Sequence, residues 1–515
     1  MIQNQISKQI KLWLVGVDGS AVGDRRHQNP NWDCLPLEVG ESSTATGIGN
    51  PVRSRILGDS KQQFLIGGLM NVPDHLRKVD EQAFTPLLIS IGPIHHSNVK
   101  LQNMKKCKAQ FSKCFIQRAN TTSELLEGII RVKEEEIRSY YAETIVSSIS
   151  SNDFVTMIVE DGMFILEYFL RQSNPHLEEN DANAMIAQWM RPILKFDLVL
   201  LENQLPFFVL ETLFKQANFP AELGLKPLSL RELAFKFFEC YNFQMMDLEE
   251  FNADIEHFTD LVRLFYLKAS ERLPDRKVGG VKLSYSATQL HEAGVKLKGV
   301  KFIETIGYFA DSRFGRDGRN VRHVGLRRWF LDLRFLPRGV VYWLRRDVMR
   351  KIRPPRCFLE IRFNNGVLEI PCITLNDERI RLIRNIIALE QSLYAGHAYV
   401  TDFFVILDFL IDNSKDVDLL CDKGILVNYL GDSNAMALAI NSLNTKILWD
   451  FMNPKYSEIC EGLNAFYKKH WHRWRATLWR QYFSTPWRAA STSAAIILLV
   501  LTAIQTICAL KSTNW

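Results

Sequence analysis

The stretch DFVTMIVEDGMFILEYF, Asp153 to Phe169, sets the fold class. Phe154, Met157, Ile158, Phe164, Ile165, Tyr168 and Phe169 recur at the three- and four-residue intervals of a helix with an apolar face. Asp153 stands where a side-chain oxygen can cap the first turn. Asp161 lies seven positions after Phe154, on the same stripe, so the spacing places a carboxylate among apolar neighbours. A buried charge needs a partner or a shifted pKa. Asp161 is therefore a candidate acid or base. The competing reading is a structural salt bridge or cap, and the lack of a visible nucleophile nearby favours it.

Helical periodicity extends outward from this stretch. Thr121 and Glu124 have capping-box spacing before an apolar-periodic segment ending near Ile145. Further helical segments are expected at 377–396, 399–412, 416–422 and about 434–468. DLVLLENQLPFFVLETLF, Asp197 to Phe214, places Glu202, Asn203 and Gln204 between two apolar runs, with Pro206 suited to a first helical turn. These three side chains are expected to satisfy backbone groups at a bend inside the core, a ligand contact being the weaker alternative. One hairpin is well specified: FLEIRFNNGVLEIP, Phe358 to Pro371, has Asn365-Gly366 as a type I′ turn. That register pairs Phe363 with Leu368, Ile361 with Ile370 and Arg362 with Glu369. So short a hairpin must pack on helices to persist.

The chain's far end fixes a location. Ala489 to Leu510 holds 22 consecutive uncharged positions. Such a helix reaches about 33 Å, enough for a hydrocarbon core roughly 30 Å thick. The competing reading is a buried C-terminal core helix. Lys468, Lys469, Arg473, Arg475, Arg480 and Arg488 precede the segment, and Lys511 alone follows. Excess Lys and Arg mark the cytoplasmic flank, so the large N-terminal body is expected in the cytosol. Trp471, Trp474, Trp479, Tyr482 and Trp487 are interleaved with these cations and suit the headgroup level. A basic-aromatic run also suits single-stranded nucleic acid, but its place directly before an apolar span favours the bilayer. Ile10 to Val17 is too short and too charged for a clear signal segment, so a tail anchor in the plasma membrane or an endomembrane is expected.

The fold class that follows is mainly α: a large helical body with a small β-hairpin and one C-terminal transmembrane helix. Residues 1–71 are rich in Gly, Ser and Asn and read as a divergent, disordered segment, and Gly16, Gly19 and Gly23 lack the spacing of a phosphate loop. A helical domain over 72–466 is interrupted by an Arg-rich insertion at about 300–356. A basic-aromatic segment over 467–488 then leads into the span at 489–510. Asp311 to Arg356 contains thirteen Arg and one Lys against four Asp, which exceeds the whole chain's net charge of +6. The remainder is mildly acidic, so overall charge is no argument for nucleic acid. Nine cysteines without a CxxC pair suit a reduced compartment.

Several stretches together resemble the plant family known as domain of unknown function 247. They are VPDHLRKVDEQAFTPLLISIGPIHH at Val72–His96, DGMFILEYF, DLVLLENQLPFFVLETLF, HFTDLVRLF at His257–Phe265 and SATQLHEAGVKLK at Ser286–Lys298. GVLEIP, RNIIALEQ at Arg384–Gln391, YVTDF at Tyr399–Phe403 and the Pro486-Trp487 start of the apolar terminus complete the set. Each motif is weak alone; their order and number carry the resemblance. It implies a plant protein with a mainly helical body and a membrane-anchored C-terminus. It carries no established catalytic residues, so none is transferred. Some members in grasses are associated with pollen self-incompatibility and others with defence or growth, which points to recognition or signalling. The Arg-rich block and the segment before Val72 depart from the family pattern.

Sharper chemistry finds little support in the residues. His95-His96 is a metal suspect, but adjacent histidines point apart and no cluster has ligand spacing, so neither metal nor cofactor is expected. His257 and Asp260 share a helical face and could tune a general base; the structural pair is favoured because no nucleophile can be named. The leading expectation is a non-enzymatic, membrane-anchored protein with an unidentified protein partner. The alternatives are an enzyme using Asp161, Glu202 and His257 in one pocket, or nucleic-acid binding through the Arg-rich block.

Overall fold

The stretch from Asp153 to Phe169 lies inside a single 23-residue helix, Ser151–Ser173. The computed structural model describes residues 70–300, 358–469 and 486–512, apart from short breaks within 175–185, 221–228, 243–252, 268–274 and 448–450. Residues 1–69, all but the last two positions of the expected disordered segment, lie outside these. So do the Arg-rich block and the Trp/Arg collar from Trp471 to Arg480.

Among the described residues, six helices of eight residues or more build the first half of the body: α1 (Lys105–Ala119), α2 (Ser123–Val132), α3 (Ser151–Ser173), α4 (Met190–Asp197), α5 (Phe207–Lys215) and α6 (Leu230–Phe237). From Phe154 to Arg171 nearly every α3 side chain is buried, including Asp161, Glu167 and Arg171. A helix apolar on most sides must be enclosed, and α1, α2, α5 and α6 enclose it. Phe111 of α1 meets Phe164 of α3 with ring centroids 5.2 Å apart. Gly162 lets α5 approach closely, since a Cβ there would lie 2.3 Å from Leu213 Cδ1.

Two caps differ from the expected ones by one and three residues. Thr122, not Thr121, caps α2 and accepts from the Leu125 amide. Ser150, not Asp153, caps α3; Asp153 occupies the third helical position and accepts from the Ser150 hydroxyl at 2.6 Å. A one-residue slip is easy where two Thr residues adjoin, and Ser150 offers the shorter reach to the free amides.

The second half begins with α7 (Phe258–Leu264) and α8 (Ala287–Glu292), then a three-stranded sheet of β1 (Lys296–Val300), β2 (Arg362–Asn364) and β3 (Val367–Pro371). The hairpin forms in the expected register, with Phe363 opposite Leu368. Asn365 and Gly366 have φ of 49° and 74°, as a type I′ turn requires. The third strand was not expected: β1 pairs parallel with β3. It also redirects the charges. Arg362 lies opposite Glu369. Glu369, however, forms an ion pair with Lys298 of β1 at 2.8 Å, while Arg362 pairs with Glu360, two residues before it.

A two-strand pair follows, β4 (Ile373–Leu375) parallel to β5 (Leu426–Asn428). Around it pack α9 (Asp377–Leu393), α10 (Tyr399–Leu410), α11 (Ser414–Asp422), α12 (Ser433–Leu443) and α13 (Pro454–Lys468). The segment expected as one helix over 434–468 is thus two. The first ends at Leu443 with Asn444 as its C-cap, followed by a turn in which Lys446 has φ 64°, and Asn453 caps the second with Pro454 in its first turn. Last comes α14 (Pro486–Ser512), whose window Ala490–Ile507 has mean hydropathy 1.9 and is 0% buried. The protein is mainly helical with few short strands, and this is its one candidate membrane-spanning helix among the described residues.

Candidate functional site

Three buried polar side chains, Asp161, Asp197 and Asn203, converge on one irregular segment, residues 87–92. Its backbone amides lack a helix or strand partner, and buried side chains supply the acceptors. Leu87, Leu88 and Ile89 donate to the Asp197 carboxylate at 2.9, 2.7 and 3.0 Å. Ile91 donates to Asn203 Oδ1 at 2.7 Å, and Gly92 to Asp161 Oδ2 at 2.8 Å. Gly92 has φ +70°, and a Cβ there would sit 2.8 Å from the Gln204 carbonyl. Lys108 forms an ion pair with Asp161 and also donates to the Ser90 carbonyl.

The second irregular segment, between α4 and α5, is satisfied in the same way. Asn203 Nδ2 donates to the Ile89 and Asp197 carbonyls. Gln204 Nε2 donates to the Leu198 and Leu200 carbonyls at 2.7 and 2.8 Å, and its Oε1 accepts from the Phe258 amide at 2.9 Å. Glu202 accepts from the Val72 amide and pairs with Arg77; His95 Nε2 lies 3.5 Å away. Burial, with Arg77 beside it, drives the His95 pKa down to about 4. His95 is thereby kept neutral. Burial pushes Asp197 up to about 6, against the pull of its three amide donors.

His257 and Asp260 form a reciprocal cap at the start of α7. His257 Nδ1 accepts from the Asp260 amide at 3.2 Å, and Asp260 Oδ2 accepts from the Glu256 amide at 3.2 Å. Tyr394 and Arg263 face the same carboxylate. Burial lowers the His257 pKa to about 3 and raises that of Asp260. Asp161, Glu202 and His257 thus belong to three separate bonding sets; Asp161 and Glu202 hold backbone and ionic partners, while His257 bonds through Nδ1 and its buried Nε2 has no hydrogen-bond partner among the described residues. Among the described residues no group of three or more His, Cys, Asp or Glu could hold a metal ion.

Concave surface occurs elsewhere. A groove of about 620 Å³ runs between the segment 282–286, α10 and the end of α12. Lys282, Tyr285, Asp408, Asp412, Asn441 and Asn444 line it, and none of the polar residues singled out in the sequence does. Burial pushes Asp408 up to about 6, opposed by a hydrogen bond from Asn444 and by the Lys282 charge. With its carboxamide turned so that the nitrogen faces both acceptors, Asn441 donates to Asp408 Oδ1 and to the Ile411 carbonyl, each at 3.0 Å. The groove therefore offers two carboxyls, Asp408 and Asp412, both shifted upward by burial, with one ammonium and two amides.

Sequence reasoning missed several buried polar side chains. Glu390 accepts from Arg263 at 3.0 Å and from the Thr401 amide and hydroxyl at 2.7 and 2.8 Å. Asp402 pairs with Arg276 at 2.8 Å and accepts from the Asn453 amide at 2.9 Å. Asn385 accepts from the Leu201 amide and donates to the Ala83 carbonyl. Each was readable as a polar residue inside an apolar-periodic run, the signal that exposed Asp161.

Comparison with known proteins follows the same stretches. The family model DUF247, "Plant protein of unknown function", matches residues 69–318 and 346–501. The chain is similar to "UPF0481 protein At3g47200" of Arabidopsis thaliana, 25% identical over 458 residues that cover 86% of each chain. It is also similar to "Putative UPF0481 protein At3g02645" of the same plant, 26% identical over 142 residues, 28% of this chain and 27% of that one. No solved structure matches.

Proposed function

We propose, from the premise that this chain belongs to the DUF247 family of plant proteins of unknown function, that it is a membrane-anchored recognition or signalling protein. Its helical body works on the cytosolic face and acts by binding rather than catalysis. The observation that carries this reading is α14. A soluble protein encloses an apolar helix, as this body encloses α3. In α14, Ile497, Leu498 and Leu499 are 59%, 64% and 71% exposed. Each exposed side chain of that size forgoes roughly 1.5–3 kcal/mol of burial in water, and a hydrocarbon core restores it. The excess of Lys and Arg before the helix supports a cytosolic body.

The interior supports binding over catalysis. The carboxylates and imidazoles at Asp161, Glu202 and His257 are spent on backbone amides and ion pairs, away from the groove. The groove beside Asp408 is the concave surface that a partner's polar groups would fit.

A fluorescent fusion lacking residues 489–515 is expected to move from the membrane fraction to the soluble fraction. Retention on membranes would remove the anchor assignment. Protease added outside intact cells is expected to spare the body; its cleavage would reverse the orientation.

A further inference from the structure

The membrane-anchored reading leaves the one carboxamide of α14, Gln505, to be accounted for. Thr502 and Thr506 donate their hydroxyls to the Leu498 and Thr502 carbonyls at 2.8 Å, so both are satisfied within the helix. Gln505, inside the apolar window Ala490–Ile507, makes no hydrogen bond to the described residues. Its position is five residues before Leu510, so it sits roughly 8 Å inside that end of the span. The Cα–Cβ bond of a helical residue tilts towards the N-terminus, here towards the bilayer centre. The amide therefore leans away from the nearer headgroups, and reaching water works against its own geometry.

An amide in hydrocarbon needs a donor and an acceptor. The carboxamide has both, so two copies of the same residue can satisfy each other across a twofold axis. The surrounding face permits close approach. Ser491, Leu498 and Gln505 recur at intervals of seven, with Ala494 and Leu501 between them. This is the spacing of a two-helix seam, with small residues nearest the body. The opposite face, with Ile496, Leu499, Val500 and Ile507, is apolar throughout and suits lipid.

We infer that α14 pairs with α14 of a second copy of this chain, through reciprocal side-chain amide hydrogen bonds at Gln505. The inference rests on the membrane-anchored reading above. Pairing would hold two bodies together at the membrane surface, and a ligand or partner that changes their spacing could then be sensed.

The test uses the full-length chain, labelled with donor and acceptor dyes and reconstituted into phosphatidylcholine vesicles. Energy transfer is followed as protein is diluted with lipid, and insertion is scored separately by resistance to alkaline extraction. Wild type is expected to resist extraction and to show transfer above that of random proximity. Gln505→Leu, which inserts at least as readily, is expected to weaken association about tenfold, which is about 1.4 kcal/mol. Gln505→Asn, which keeps both hydrogen-bonding functions, is expected to retain most of it. A wild-type chain that is extracted would overturn the anchor, and the pairing with it. An inserted chain with random transfer, or with transfer unchanged by Gln505→Leu, would leave the anchor standing and overturn the pairing.

Discussion

His257 caps a helix, a task usually given to Ser, Thr, Asp or Asn. It can do so only as a neutral ring, because Nδ1 must present a lone pair to the Asp260 amide. Protonation would turn the acceptor into a donor aimed at a donor, which agrees with the direction of its shift to about 3. The consequence for stability follows from linkage. The unfolded ring takes up a proton near its ordinary value of 6.5, while the folded ring does so only near 3. Its contribution is therefore complete above pH 6.5 and is lost progressively as pH falls towards 3. His95, held down to about 4, acts in the same direction, whereas Asp197 and Asp402, raised to about 6, gain stability as pH falls. A single titration curve would mix these, but the difference between two variants isolates one. His257→Asn keeps an oxygen acceptor for the cap and removes the titration. It is expected to cost about 1 kcal/mol at pH 7.5 through lost packing. It should then lose about 1–2 kcal/mol less than wild type between pH 6.5 and 5. Urea unfolding at these pH values measures both, and parallel pH profiles would show that the ring does not titrate between the two states.

At the scale of elements, the sheet depends on a close crossing that only glycine allows. Gly299 of β1 donates its amide to the Lys423 carbonyl at 3.0 Å, where α11 turns into β5. A Cβ at Gly299 would lie 1.9 Å from the Gly424 carbonyl oxygen. That obstacle is backbone and cannot rotate aside, so β1 would have to lift off either β5's turn or β3. Gly299→Ala is expected to destabilise the body by about 3 kcal/mol or more. Gly279→Ala, which meets nothing within 4 Å but has φ +92°, is expected to cost about 1 kcal/mol. Equal melting temperatures for the two variants would refute the crossing. The contrast also shows what a sequence can reveal. The hairpin was legible because Asn365-Gly366 and its flanking alternation are local. β1 was not, because its pairing with β3 spans the Arg-rich block and leaves no mark in five residues of KLKGV. The break before Pro454 was written in Asn453-Pro454, yet the apolar period on either side hides it. In the interior, Asp161, Glu202, Asn203 and Gln204 stood out against long apolar runs. Glu390 sits in an equally buried helix among more polar neighbours in sequence, whereas Asp402, in YVTDFFVIL, stood in a run at least as apolar as that around Asp161 and was equally legible.

At the scale of the whole molecule, the two halves share one continuous apolar core, crossed by polar ties. Asn385 of α9 holds Leu201 and Ala83, and Gln204 holds the start of α7. Such ties fix the relative placement of α3 and α9 more sharply than apolar contact alone, since each broken bond strands a buried amide at roughly 1–3 kcal/mol. The connection from β1 to Phe358 lies outside the described residues. The family model passes over residues 319–345 inside it, and they carry much of the Arg-rich charge. β1 is already held on both edges, by β3 and by the Lys423 carbonyl. Shortening a loop between two anchored ends changes its closure entropy only logarithmically, by about 0.6 kcal/mol for a halving. Deletion of 319–345 is therefore expected to leave the melting temperature within a few degrees of wild type. Amide-exchange protection at Gly299 and Ile370 should stay unchanged. A fall of ten degrees or more, or loss of protection at those two amides, would mean that the fold leans on this segment. If both hold, the sheet closes through its pairing with β3 and β5's turn, and the Arg-rich connection is free to vary among related chains without disturbing the body that α14 anchors.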